Sequence, residues 1–211
     1  MINRTILFLK SKSKMTISIL ICMMFVWGVQ IVLGGGNRFW IATTGGGYLF
    51  DYGYLNYTAV FKQHQWYRLL TNGYLHNGIL HLVANGFALL HVADLLRMKI
   101  TEMEQFLLLN FGIVLSSFFG IMFLPYDSGV GASGGIFVLI GLLIFEMIFD
   151  LRFAYDVKQK KLAFRYIVIY MLAGIALGKY TITIHSIGCA IGGMYGILRR
   201  VLLKDRRNKN I

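Results

Sequence analysis

Ser133 and His185 are the two residues of this chain best equipped to break a covalent bond. Ser133 stands among small residues in Gly131-Ala132-Ser133-Gly134 near the start of one apolar run, and His185 stands near the start of another. Polar and ionisable groups inside apolar spans are costly and default to functional hypotheses. A serine hydroxyl becomes a nucleophile when a neighbouring base takes its proton, and an imidazole with a pKa near neutrality suits that task. The small residues at 131, 132 and 134 let a substrate backbone come close to the hydroxyl. A serine at a helix N-terminus also has free backbone N–H groups beside it, able to hold a developing oxyanion. His81 and Asn85, spaced i, i+4, share one helix face and can aim two further donors at the same point. His76, about 140° around a helix from His81, falls off that face and is expected to brace the neighbouring loop.

These residues have to be positioned by membrane helices. The chain is 57% hydrophobic and 14% charged and contains a single proline, the composition of a polytopic membrane protein. Runs long enough to cross about 30 Å of hydrocarbon fall near 15–34, 78–96, 104–124, 131–149, 162–178 and 182–203, so six spans are predicted. All but four of the 21 basic residues then flank one side. They are Arg4, Lys10, Lys12 and Lys14, then Arg97 and Lys99, then Arg152 to Arg165, and the tail from Arg199 onward. Arg38, Lys62, Arg68 and Lys179 lie on the other side. The positive-inside bias places both termini in the cytoplasm, as six spans require.

Orientation sets depth. Ser133 follows Asp127 by six residues and His185 follows Lys179 by six, so each is expected roughly 9 Å below the outer face at 1.5 Å per residue. His76, His81 and Asn85 gather at the outer end of the second span. In the sixth span His185, Gly188, Gly192 and Gly196 form one stripe, and small-residue stripes let helices approach closely in lipid. The fourth span offers Gly131, Gly134, Gly135 and Gly141 opposite. Taken singly, a glycine-flanked serine is a packing feature and a histidine at a span end an interfacial one. Joint placement in order, depth and face favours chemistry. His64 and His91 are assigned structural roles.

Other classes fit less well. The charge of +12 is explained by topology, and no basic groove interleaved with aromatics suggests nucleic acid. There is no nucleotide loop, no H-E-x-x-H metalloprotease pattern and no G-x-G-D aspartyl pattern. Neither repeat symmetry nor midplane charge suggests a transporter. Cys22 and Cys189 show no metal spacing and are expected to be free thiols. No metal or cofactor is expected.

The ordered motifs resemble the rhomboid family of intramembrane serine proteases. The resemblance rests on Gly131-x-Ser133-Gly134, on His76 followed by His81 and Asn85 in an H-x4-H-x3-N pattern, and on His185-x2-Gly188-x3-Gly192. Arg68 with Trp66 and Tyr67 is similar to the family's tryptophan-arginine signature. The resemblance covers roughly residues 50–200. It implies an all-α, six-helix bundle with cytoplasmic termini and a long first outer loop, here about 35–75, forming a single membrane domain over 1–211. It implies a serine-type endopeptidase cutting single-span membrane proteins in or near their transmembrane segments, in the cell membrane, with an active site open to the extracytoplasmic side. By position Ser133 is then the nucleophile and His185 the general base and acid. His81, Asn85 and the Ser133 N–H form the oxyanion hole, with His76, Gly131, Gly134, Phe137 and Arg68 in support. Implied partners are transmembrane substrates and the bilayer, with neither nucleic acid nor nucleotide.

The chain departs from the family pattern twice. Phe137 stands where a tyrosine often lies against the histidine, so the ring can pack but its hydroxyl is missing. Tyr67 takes the tryptophan's place beside Arg68, with Trp66 one position early. The alternative reading is a non-catalytic rhomboid-like protein that binds membrane clients. The first span, with Gly34, Gly35 and Gly36 behind it, resembles a signal peptide and is expected to remain as an uncleaved anchor.

Overall fold

A computed structural model describes residues 13–125, 127–149, 156–176 and 178–208. Of the cations used to orient the chain, Arg4, Lys10, Lys12, Arg152 and Lys209 lie outside the described residues. The fold is mostly helical. Helices occupy each of the six apolar runs: α1 (Lys14–Leu33), α5 (Gly78–Leu96), α6 (Glu102–Phe123), α7 (Ser133–Ile148), α8 (Val157–Ala176) and α9 (Lys179–Asn208). Among the described residues four are long and apolar enough to cross a membrane: α1, α5, α6 and the Lys179–Leu202 part of α9. Helix α7 is equally apolar but spans 16 residues. The first half of α8 carries Lys158, Lys160, Lys161 and Arg165.

Local chemistry sets the helix starts. Ser13 Oγ accepts from the Thr16 N–H at the head of α1, and Thr101 Oγ accepts from the Glu104 N–H at the head of α6. Such caps satisfy N–H groups that have no partner within the helix. Glu102 and Glu104 in the first turn of α6 further suit its positive end.

The segment between α1 and α5 is folded into short elements. These are α2 (Arg38–Thr44), α3 (Tyr48–Gly53), strand β1 (Leu55–Asn56), a π-turn over Thr58–Lys62, α4 (Arg68–Thr71) and a 3-10 turn over Asn72–Tyr74. Strand β1 pairs antiparallel with β2 (Ser128–Gly129), matching Leu55 with Gly129 and Asn56 with Ser128. This ladder ties the segment to the loop that precedes Ser133.

Helix α7 is the pillar of the bundle, with every residue from Gly134 to Leu143 buried. Helix α9 lies along it with backbones nearly touching. A methyl group on Gly188 would stand 2.5 Å from the Gly134 carbonyl oxygen, one on Gly192 would strike the Val138 carbonyl, and one on Gly196 would strike the Phe145 ring. Gly141 meets the Cys189 backbone from the other side. The glycine stripe is therefore a helix–helix seam. Two glycines expected to face α9 do otherwise: Gly135 turns toward Leu109 of α6, and Gly131 lies before the helix, facing His81.

At the far end, ion pairs close the seam. Arg199 of α9 reaches Glu104 of α6 and Glu146 of α7, each at 3.2 Å, and donates to the Lys99 carbonyl. Lys99 Nζ lies 3.4 Å from Glu146, and the Tyr195 hydroxyl donates to Glu104 at 2.6 Å. Partly buried charges are tolerable when paired and hydrogen-bonded in this way.

Candidate functional site

A cavity of about 620 Å³ opens among the ends at which α5, α7 and α9 begin, and its walls include Ser133, His185, His81 and Asn85. Ser133 is the first residue of α7. Its N–H and those of Gly134 and Gly135 belong to the first turn, where no helical carbonyl precedes them. The turn into the helix requires glycine at 131, with φ of +113°. A methyl group there would stand 2.6 Å from His81 Cε1 and 2.8 Å from His81 Nε2, and 3.3 Å from Asn85 Nδ2. The serine loop thus passes directly in front of both polar groups of α5.

His81 presents a defined donor. The Asn77 N–H donates to His81 Nδ1 at 3.3 Å. An imidazole nitrogen that accepts is unprotonated, so in the neutral ring the proton resides on Nε2, the atom facing Gly131. Asn85 is buried, and its Nδ2 has no hydrogen-bond partner in the protein. Two donors therefore point toward the serine turn.

His185 is buried on α9 and lies flat against Phe137, with ring centroids 3.7 Å apart and planes 10° from parallel. The ring stack survives without a tyrosine hydroxyl. Gly174 of α8 runs along the edge of the imidazole, where a methyl group would strike Nδ1. Its Nε2 is buried with no partner among protein atoms. The imidazole is held by Phe137 on its face and α8 on its Nδ1 edge.

His76 precedes α5 and is fully buried, its ring edge-on to His81 at 5.2 Å. Burial, with His81 beside it, pushes its pKa down to about 3, so the ring is neutral. Its carbonyl accepts from the Gly78 N–H at 2.9 Å and from Gln30 Nε2 at 3.2 Å. Arg68 lies outside the cavity lining but is buried. It donates to the Asp51 and Tyr54 carbonyls at 2.9 and 2.8 Å and to Gln65 at 2.6 Å, with its guanidinium beside the Tyr54 and Tyr67 rings. Trp66 packs edge-on against Phe61. His64 is exposed, and the His91 ring lies tilted against Tyr166 of α8 with centroids 4.1 Å apart, away from the cavity lining.

Asn72 and Gly174 were not anticipated as site residues. The Asn72 carbonyl accepts from the Gly131 N–H at 2.8 Å, pinning the serine loop. Its amide donates to the Arg68 and Leu69 carbonyls at 2.6 and 2.9 Å and to Ser117 of α6 at 3.1 Å. The Asn72-Gly73 pair is a turn signal in the sequence, but Ser117 lies 45 residues away and no local pattern connects them. For Gly174 the contact with His185 depends on how α8 docks, which helical periodicity does not encode.

Fold and cavity together define a helical membrane protein with a serine, two histidines and an asparagine converging at the start of three helices. The sequence matches the Rhomboid domain over residues 63–209, and the chain belongs to the rhomboid family. It is 28% identical to RHOMBOID-like protein 7 of Arabidopsis thaliana over 150 residues, 68% of this chain and 44% of that protein. It is 32% identical to the mitochondrial RHOMBOID-like protein 6 of the same plant over 102 residues, 46% of this chain and 31% of that protein. In both cases the alignment spans less than half of the relative's length.

Proposed function

We propose that this chain is an intramembrane serine endopeptidase that hydrolyses peptide bonds in or near the transmembrane segments of membrane-protein substrates. One observation carries the reading: Ser133, His185, His81 and Asn85 share a single cavity, with His185 stacked on Phe137 one helical turn from the serine. Ser133 Oγ attacks the scissile carbonyl carbon while its proton passes to His185 Nε2, the nitrogen left unpartnered. Negative charge then develops on the carbonyl oxygen. The Ser133 N–H, His81 Nε2–H and Asn85 Nδ2 stand ready to receive it, and preorganised donors of this kind supply much of the rate in acyl transfer. Collapse expels the amine, which takes the proton from His185, and leaves an acyl ester on Ser133. Water, deprotonated by His185, releases the acid by the same steps in reverse order. Among the described residues no Asp or Glu lines the cavity, so the dyad is read without an acidic third member. Stacking on Phe137 and contact with Gly174 orient the imidazole instead.

The six helices are read as six spans, with both termini in the cytoplasm and the cavity facing the extracytoplasmic side of a cell membrane. The distribution of basic residues supports that orientation. The chain as a whole is read as one rhomboid-like domain.

The test compares wild type, Ser133→Ala and His185→Ala, each reconstituted in liposomes with a single-span substrate. Only wild type is expected to cleave, unaffected by chelators, and to be labelled at Ser133 by a serine-directed phosphonate. Cleavage that persists in Ser133→Ala refutes the assignment. A wild type that neither cleaves nor labels would make the chain a client-binding protein.

A further inference from the structure

Gln30 is a polar side chain near the end of α1, completely buried and outside the stretch matched to the Rhomboid domain. Its Nε2 donates to the carbonyls of His76 at 3.2 Å and Gly46 at 3.4 Å, while its Oε1 is buried with no protein partner. An amide half-satisfied inside an apolar helix costs free energy that leucine or methionine would avoid. What it holds accounts for its presence. The His76 carbonyl and the Asn77 N–H are the two ends of one planar trans peptide, and they point in opposite directions. Gln30 and the Gly78 N–H fix the carbonyl end, and the other end donates to His81 Nδ1. The 76–77 peptide therefore cannot rotate without breaking these bonds. While it is held, Nδ1 of His81 accepts and the proton stays on Nε2, facing the serine turn.

We propose that Gln30 is a positioning residue for the oxyanion hole, acting through the 76–77 peptide to fix the tautomer and direction of His81. The proposal rests on the hydrolytic reading above. It makes α1 part of the reaction machinery although α1 contributes no residue to the cavity wall. Gly46 in the same bond set extends the support to the segment between α1 and α5.

The test uses the full chain with ring-¹⁵N-labelled histidine, the His81 signals being identified by their loss in His81→Ala. Wild type should show His81 protonated on Nε2 at neutral pH, and Gln30→Met should shift it to a mixture of tautomers. In cleavage assays Gln30→Met should lower kcat about tenfold, a fraction of the hundredfold or more lost when a whole oxyanion donor is removed, with KM within twofold of wild type. In the His81→Ala background the same substitution should cost nothing further, since it acts only through His81. Gln30→Asn keeps an amide but withdraws it by one methylene, and should reproduce both effects to a smaller degree where the methionine variant does not fold. An unchanged tautomer in both variants, or an equal loss of kcat with and without His81, overturns the proposal. A wild type without protease activity would remove the hydrolytic reading, while the tautomer measurement would still decide the coupling.

Discussion

Gly188→Ala, set against Gly193→Ala on the same helix, isolates the part of the site that depends on backbone proximity. A methyl group at 188 would stand 2.5 Å from the Gly134 carbonyl oxygen and 3.0 Å from Phe137 Cβ, whereas one at 193 meets nothing within 4 Å. Carbon–oxygen contacts between packed backbones settle at about 3.3–3.6 Å, so Gly188→Ala must push α9 away from α7 by about 1 Å. Neither contact is the end of a flexible side chain that could swing aside. His185 lies one turn before Gly188 and Ser133 one residue before Gly134, so the displacement is expected to shift hydroxyl and imidazole relative to each other. A misplacement of about 1 Å costs on the order of a hundredfold in rate. Overpacking itself typically costs about 1–3 kcal/mol, partly offset by the roughly 1 kcal/mol that alanine gains over glycine in a helix. The assay is the rate of Ser133 phosphonylation in detergent, with thermal unfolding recorded in parallel. Gly188→Ala should label about a hundredfold more slowly with at most a modest loss of stability. Gly193→Ala should label at the wild-type rate and unfold no earlier. Equal labelling rates in the two variants would refute the argument that the seam sets the serine–histidine distance.

Two further outcomes are expected. Phe137→Leu removes the ring that faces His185 at 3.7 Å and should slow phosphonylation about two- to twelvefold, the rate equivalent of the roughly 0.5–1.5 kcal/mol of an aromatic pair; Phe137→Tyr, which keeps the ring, should stay within twofold of wild type, and a loss as large as that of Phe137→Leu would count against stacking. His76 has its pKa lowered from 6.5 to about 3 by burial, so below about pH 6.5 the unfolded chain binds a proton that the folded chain refuses until about pH 3. Stability should therefore fall as pH drops through that window, with a shallower slope in His76→Phe; parallel slopes in denaturant titrations would exclude His76 as the source.

Much of the site was legible because its members repeat at helical spacings. His81 and Asn85 share a face by their separation alone, and the stripe from His185 through Gly188 and Gly192 to Gly196 is visible without coordinates. Apolar length marked six segments, and each proved helical, although their ends moved by a few residues where Ser13 and Thr101 cap the chain. Periodicity assigns faces but not neighbours. It could not tell that Gly135 meets Leu109 rather than α9, nor that Gly174 would lie against the imidazole. The segment from 34 to 75 was least readable. Its order comes from Arg68 donating to carbonyls 14 and 17 residues away and from Asn72 bonding Ser117 across 45, contacts with no local signature. Gln30 showed only as one polar residue in an apolar run.

The brevity of α7 has a consequence for water. Its 16 residues make about 24 Å of helix at 1.5 Å per residue, against about 30 Å of hydrocarbon. A helix facing lipid would meet that shortfall by thinning the bilayer or by drawing its flanking residues to the interface. Helix α7 is sheathed by protein from Gly134 to Leu143, so lipid does not have to adapt to it. The cavity lies beside the first residue of α7, where α5 and α9 also begin. That residue is Ser133. An added turn before it would leave the hydroxyl inside the helix and occupy space that, on the proposed hydrolytic reading, a water has to reach.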